Sequence, residues 1–220
     1  MSFIDAAEAC LPPPPSDRPR LYARRLKRGL DLLAVIAAAP VALPLVALLA
    51  LAVSLDGARP FYAQRRVGRG GRPFRIWKLR TMAPGADRAL ARHLALCPAA
   101  RAEWAEKQKL ARDPRVTRIG RLLRRSSLDE LPQLLNVLRG EMSLVGPRPM
   151  MTDQATLYPG RAYYALRPGL TGPWQVSDRN GCSFADRAAF DARYQRTLSL
   201  GGDLRLIAAT LPVMLRGTGC

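Results

Sequence analysis

Histidine is almost missing from this chain: His93 stands alone among 220 residues, which removes Ser-His hydrolysis and multi-histidine metal centres from consideration. Cysteine is scarce too. Cys10, Cys97, Cys182 and Cys220 are scattered, with neither metal-ligand spacing nor a crowded disulfide framework, and so point to a reduced, cytoplasmic setting. Acid is short against base, 17 Asp and Glu against 35 Lys and Arg, and the net charge of +18 narrows the partners to polyanions. Those are nucleic acid, anionic lipid headgroups and phosphorylated substrates. Aromatic residues make up only 6%, leaving few rings near the arginines on which bases could stack. Hydrophobic residues at 48% are ample for a core, in one domain or one domain plus a membrane segment.

Charge itself is absent from Leu32 to Leu55. Roughly 20 apolar residues at 1.5 Å each span the hydrocarbon of a bilayer, so this run is long enough for a membrane helix, a reading preferred over a buried core helix. Basic residues flank it on both sides: Arg24, Arg25, Lys27 and Arg28 before, Arg59, Arg65, Arg66 and Arg69 after. Short basic flanks stay cytoplasmic, and a straight span would carry one of them across. Pro40 and Pro44 resolve the conflict by breaking the helix, so a re-entrant helix-break-helix over 24–58 is expected in preference to a single span. Residues 1–23, with Asp5, Glu8 and the run Pro12 to Pro15, are wrong for a signal peptide and read as a disordered, proline-rich tail.

Residues 59–220 read as a cytoplasmic catalytic domain, so the whole is α+β, mostly helical and monotopic. Phe61–Val67 and Phe74–Leu79 alternate around Gly68, Gly70 and Gly71, predicting a β-hairpin. Asp87 to Leu110 predicts two helices divided at Pro98, with His93 structural. Asp113-Pro114 predicts a helix start, with Val116, Ile119 and Leu123 on one face and an end near Ser126. Ser127 and Glu130 then form a capping-box pattern, Leu131, Leu134, Leu135 and Leu138 supply a buried face, and Gly140 stops the helix. From Gly146 through Val176 the chain reads as shaped loop, followed by closing helices over Asp186–Leu198 and Leu204–Leu215.

The chemistry centres on Asp129-Glu130. This acidic pair follows a run with arginine at every third position, Arg112 to Arg124. At the first turn of a helix the macrodipole would favour the ionised form of Asp129. Either carboxylate could attack phosphorus and carry the group as an acyl phosphate. Arg124 and Arg148 could hold phosphate oxygens bidentately, and Lys78 could add a point charge. Mg²⁺ needs only one or two protein carboxylates beside diphosphate oxygens, which the pair could offer. Acids in a first helical turn are, on physics alone, more often structural.

Longer motifs bear on that choice. Arg28-Gly29-Leu30-Asp31, Arg66-Val67-Gly68 and the run from Phe74 to Met82 resemble the bacterial sugar transferase family. So do the runs from Ser127 to Val137 and from Met142 to Pro149. The resemblance covers about Leu26 to Cys220, and the ending Leu215 to Cys220 resembles the branch that starts exopolysaccharide assembly. It implies a monotopic phosphoglycosyl transferase of the bacterial inner membrane with its catalytic domain facing the cytoplasm. The implied donor is a UDP-hexose, the acceptor undecaprenyl phosphate and the ion Mg²⁺. It implies Asp129 as nucleophile, carrying the phosphosugar while UMP leaves, and Glu130 in a metal or proton role, the pair holding the metal. Lys78, Arg80, Arg124 and Arg148 fall on active-site positions, Arg167 and Arg179 in the loop expected near the nucleotide. Galactose and glucose are the leading hexoses, and no residue separates them. Anionic lipid is an expected partner, a homodimer a candidate one. A membrane scaffold would have no use for Asp129 among arginines, and a nucleic-acid binder would have none for the apolar run.

Overall fold

The computed structural model describes residues 21–55, 57–107, 110, 113–177 and 184–215. Most of the proline-rich tail expected over 1–23 therefore lies outside the described residues, as does Arg179.

The apolar run is one long helix, α1 (Lys27–Ser54), entered through a π turn at Tyr22–Leu26. Pro40 and Pro44 both lie inside it, so the expected break is corrected: the helical run is uninterrupted. Each proline deletes one amide donor and bends a helix without having to end it. Both ends of α1 are tied to the rest of the fold. Near its start, buried Asp31 accepts from Ser143 Oγ at 2.6 Å, and Arg28 donates to the carbonyls of Val137 and Leu138. Near its end, Arg80 Nη2 donates to the Val53 carbonyl at 2.9 Å. Val35 packs with Phe74, Ile76, Val137 and Met142, while Ala50 and Val53 pack with Leu79 and Leu123. Between these anchors the side chains are bare: Ile36, Val41, Leu43 and Leu48 are all more than 60% exposed. The ends of α1 are anchored to the domain and its middle is uncovered.

The hairpin forms as its alternation predicts. Strands β1 (Phe61–Val67) and β2 (Pro73–Leu79) pair antiparallel, from Phe61 opposite Leu79 to Val67 opposite Pro73. The turn needs positive φ at Gly70 (68°) and Gly71 (77°), which glycine adopts without Cβ strain. Helices α2 (Ala86–Leu96) and α3 (Pro98–Lys107) are divided before Pro98, as expected.

Helix α4 (Arg118–Arg125) starts later than Asp113-Pro114 suggested. Its cap is Thr117, whose Oγ1 accepts from Gly120 N at 2.9 Å. Asp113 instead accepts from the backbone and guanidinium of Arg115, because a residue before proline is pushed out of the helical region. Val116 bridges to Met82, outside the helix, and Ile119 is 38% exposed, so of the three expected core residues only Leu123 is fully buried. The capping box at Ser127 does not form either. Ser127 is left-handed (φ 55°) without a side-chain cap bond, and it opens a single 3₁₀ turn at Leu128–Glu130. Helix α5 (Gln133–Arg139) begins three residues on and ends at Gly140 with φ 81°. That later start changes the buried face to Gln133, Asn136 and Val137, leaving Leu135 and Leu138 more than 40% exposed.

Two three-residue strands, β3 (Ser143–Val145) just before the stretch read as loop and β4 (Gly169–Thr171) inside it, pair in parallel. Between them lies the one-turn helix α6 (Ala162–Ala165), and after them comes α7 (Pro173–Val176). The closing helices are α8 (Arg187–Thr197) and α9 (Leu200–Leu215). Buried Asp203 on α9 accepts from Tyr22, Lys27 and Tyr194, which pins the C-terminal helix to the base of α1.

Candidate active site

Asp129 is carried on the 3₁₀ turn and is 8% exposed. Opposite it, β2 supplies Lys78, whose Nζ lies 2.6 Å from Glu130 Oε1 and 3.8 Å from Asp129 Oδ2. One ammonium thus bridges both carboxylates. Lys78 is kept in place by β2, and β2 by fully buried Asn136. That amide donates to the Arg75 carbonyl and the Glu141 carboxylate while accepting from Trp77 N. On the other side, Arg124 in the last turn of α4 donates from Nε to buried Thr81 Oγ1 at 2.9 Å.

Burial raises the pKa of Asp129 above the usual carboxylate range; Lys78 opposes it, Glu130 adds to it, and Arg124 opposes it again. The net direction is the reverse of the macrodipole expectation. A lone 3₁₀ turn has no long stack of peptide dipoles behind it, and desolvation wins. The carboxylate is therefore poorly solvated and close to cations, an environment that favours attack on an electrophile brought in with its own negative charge.

Around the corner lies a cluster of guanidinium groups. Arg148 and Arg187 sit over the Trp174 ring, at 5.6 Å and 5.0 Å from its centroid. Arg187 also donates to the Arg148 carbonyl at 2.7 Å. Arg66, on β1, donates to the carbonyl of Pro149, the residue after Arg148, at 3.4 Å; it is repelled by Arg148 and more weakly attracted by Glu130.

The fold thus brings Asp129, Glu130 and Lys78 into contact, with Arg124 acting on Asp129, and sets Arg148 with Arg187 over Trp174. Two other named arginines are held by backbone carbonyls. Arg80 donates to the carbonyls of Arg59, Met82 and Val53, tying hairpin to helix. Arg167 donates to the Gly140 carbonyl and lines a cavity of about 670 Å³ at the hairpin turn, with Arg69, Arg72, Glu141 and Tyr164. Lys78 and Pro73 are five strand residues apart, so that cavity lies roughly 16 Å along β2 from the acidic pair. Arg66 and Arg187 were missed. Arg66 lay within a quoted motif, but in a chain this basic neither residue stands out by composition.

Among the described residues no group of three or more His, Cys, Asp or Glu converges. Asp129 and Glu130 are hard oxygen donors of the kind Mg²⁺ accepts, and they fit an ion that takes its remaining ligands from substrate phosphate and water.

Comparison with known proteins adds the family context. Residues 22–217 match the family model described as Bacterial sugar transferase. The chain is 42% identical over 221 residues to a UDP-galactose-lipid carrier transferase of Erwinia amylovora, covering 100% of this chain and 46% of that protein. It is 46% identical over 196 residues to the exopolysaccharide production protein ExoY of Sinorhizobium fredii, covering 88% and 87%. With the UDP-glucose:undecaprenyl-phosphate glucose-1-phosphate transferase of Caulobacter vibrioides it shares 42% identity over 208 residues, covering 90% and 72%. The chain spans about half the length of the Erwinia relative and most of the length of the other two.

Proposed function

The chain belongs to the bacterial sugar transferase family, and on that premise we propose that it transfers hexose-1-phosphate from a UDP-hexose to undecaprenyl phosphate, starting exopolysaccharide assembly. The observation that carries this reading is the buried Asp129 carboxylate, 3.8 Å from the Lys78 ammonium and under the attraction of Arg124. In the first displacement an Asp129 oxygen attacks the phosphorus that bears the hexose. The bond from that phosphorus to the bridging oxygen breaks, and UMP leaves with the electron pair. The hexose-1-phosphoryl group is now an acyl phosphate on Asp129. In the second displacement a phosphate oxygen of the lipid attacks the same phosphorus, the acyl bond breaks, and Asp129 returns as carboxylate. The product is a lipid diphosphate sugar. Lys78 and Arg124 counter the charge spread over the phosphoryl oxygens in both steps. Mg²⁺, held by Glu130 and Asp129, would add Lewis-acid stabilisation of diphosphate charge.

The acceptor is a lipid, which agrees with the exposed apolar residues along α1, both ends of which are anchored to one domain. We therefore place α1 in the bacterial inner membrane as a re-entrant element, residues 59–220 facing the cytoplasm, with anionic lipid beside the basic flanks. Purified protein incubated with undecaprenyl phosphate, Mg²⁺ and a panel of UDP-sugars tests the reading. UMP release with UDP-galactose or UDP-glucose is the expected result, and no UMP with any sugar would overturn it.

A further inference from the structure

Three guanidinium groups from distant segments converge where the described residues provide too little negative charge to balance them. Arg66 comes from β1, Arg148 from the loop after β3 and Arg187 from the start of α8. Arg148 repels both of the others, and each is substantially desolvated, which lowers the pKa of Arg66 and Arg187. Among the described residues the carboxylates that attract them are Asp191, for Arg187, and Glu130, for Arg66, the latter already paired with Lys78 at 2.6 Å. Two buried donors point to the same deficit: Arg66 Nε and Trp174 Nε1 have no hydrogen-bond partner among the described residues. Burying like charges and unpaired donors together is costly, and an anion of matching charge removes both costs.

The cluster is also braced, as a binding seat must be. Val67, next to Arg66, donates from its N–H to the Met150 carbonyl at 3.0 Å, two residues beyond Arg148. The Tyr163 hydroxyl donates to the Val67 carbonyl and accepts from Met150 N. Tyr158 packs against Tyr163 and donates to Asp191 at 2.9 Å, one turn along α8 from Arg187. One tyrosine block thus fixes the three backbones that carry the arginines.

We propose that Arg66, Arg148 and Arg187, the last two stacked over the Trp174 ring, form the seat of the nucleotide donor's diphosphate. The inference rests on the sugar-phosphate transfer reading and adds Arg66, Arg187 and Trp174 to the site. A diphosphate suits the cluster better than the acceptor's single phosphate: it presents two phosphoryl groups to three planar donors, two of them over one indole.

Equilibrium binding of UDP, UMP and inorganic phosphate to detergent-solubilised full-length protein, beside KM for each substrate, tests the seat. Arg187→Gln should weaken UDP about tenfold or more and raise KM for UDP-hexose similarly, with KM for undecaprenyl phosphate unchanged. Arg187→Lys should recover part of the loss. Should Arg187→Gln fail to fold, Arg66→Gln reads the same seat from the hairpin and carries the same expectation. A folded variant of either kind that keeps UDP affinity within twofold overturns the proposal. So does a rise in the acceptor's KM in place of the donor's. A wild-type protein that releases UMP while the variants bind UDP normally refutes the seat alone. A wild-type protein that binds UDP through these arginines and releases no UMP refutes the transfer reading and leaves the seat standing. Absence of UDP binding by the wild type overturns both.

Discussion

Replacing Lys78 by Met should move the acid limb of the pH–rate profile toward neutral pH. Lys78 Nζ is 3.8 Å from Asp129 Oδ2, and at an effective dielectric of 20 that attraction is about 4 kcal/mol. The Lys78 side chain is 25% exposed and that of Asp129 11%, so solvent reduces the figure, to about 2 kcal/mol. At 1.36 kcal/mol per pH unit, losing the cation moves the limb up by about 1.5 pH units. Two features add to the effect: burial already holds the Asp129 carboxyl above its usual range, and Glu130 would be left to repel it unopposed. The assay is initial UMP release from the UDP-hexose between about pH 5 and 9, with thermal unfolding as the check on folding. Lys78→Arg keeps the charge and should hold the limb near the wild-type position. A folded Lys78→Met protein with an unmoved limb would refute the claim that Lys78 keeps the nucleophile ionised.

Other consequences follow from the same contacts. Gly120 packs so tightly on the Thr81 backbone that a Cβ would overlap its carbonyl oxygen, so Gly120→Ala should cost about 1–3 kcal/mol in denaturant unfolding and displace Arg124 through Thr81. Asp203→Ala leaves Lys27, with its side chain 12% exposed, without its carboxylate; a loss of about 3 kcal/mol or more, read as a lower unfolding midpoint, is expected. Asp191 has its pKa pushed up to about 6 by burial, against the opposing Tyr158 hydrogen bond and Arg187 charge. Its folded form therefore binds the proton more tightly than the unfolded chain does. The stability this gives is complete at low pH and is lost as pH rises through about 6. Between pH 5 and 7 the wild type should lose about 1 kcal/mol relative to Asp191→Asn, measured by urea unfolding at both values.

The hairpin was legible because period-two alternation and a glycine turn are local signals, and so was the division before Pro98. The acidic pair and Lys78 were legible as chemistry, and the strand and turn do bring them together. What the residue pattern hid depends on backbone states and distant partners. A left-handed Ser127 cannot be told from a capping serine by sequence, yet it replaces a helix start with a 3₁₀ turn and shifts the buried face of α5. Asp113-Pro114 imitates a cap, while the true cap, Thr117, is set by the Met82–Val116 bridge. Strands β3 and β4 are three residues each and find each other across more than twenty residues of chain, beyond the reach of periodicity. Arg80 and Arg167 carry the same charge as Arg124, and only the fold reveals that they bind backbone carbonyls.

The central claim, that Asp129 carries the sugar phosphate, is tested most directly by intact-protein and peptide mass spectrometry after incubation with UDP-hexose and no acceptor lipid. The wild type should gain one hexose phosphate on the peptide containing Asp129, release an equivalent of UMP, and lose the adduct when undecaprenyl phosphate is added. Asp129→Asn should gain nothing and release nothing. Normal turnover by Asp129→Asn, or an adduct on any other residue, would contradict the account.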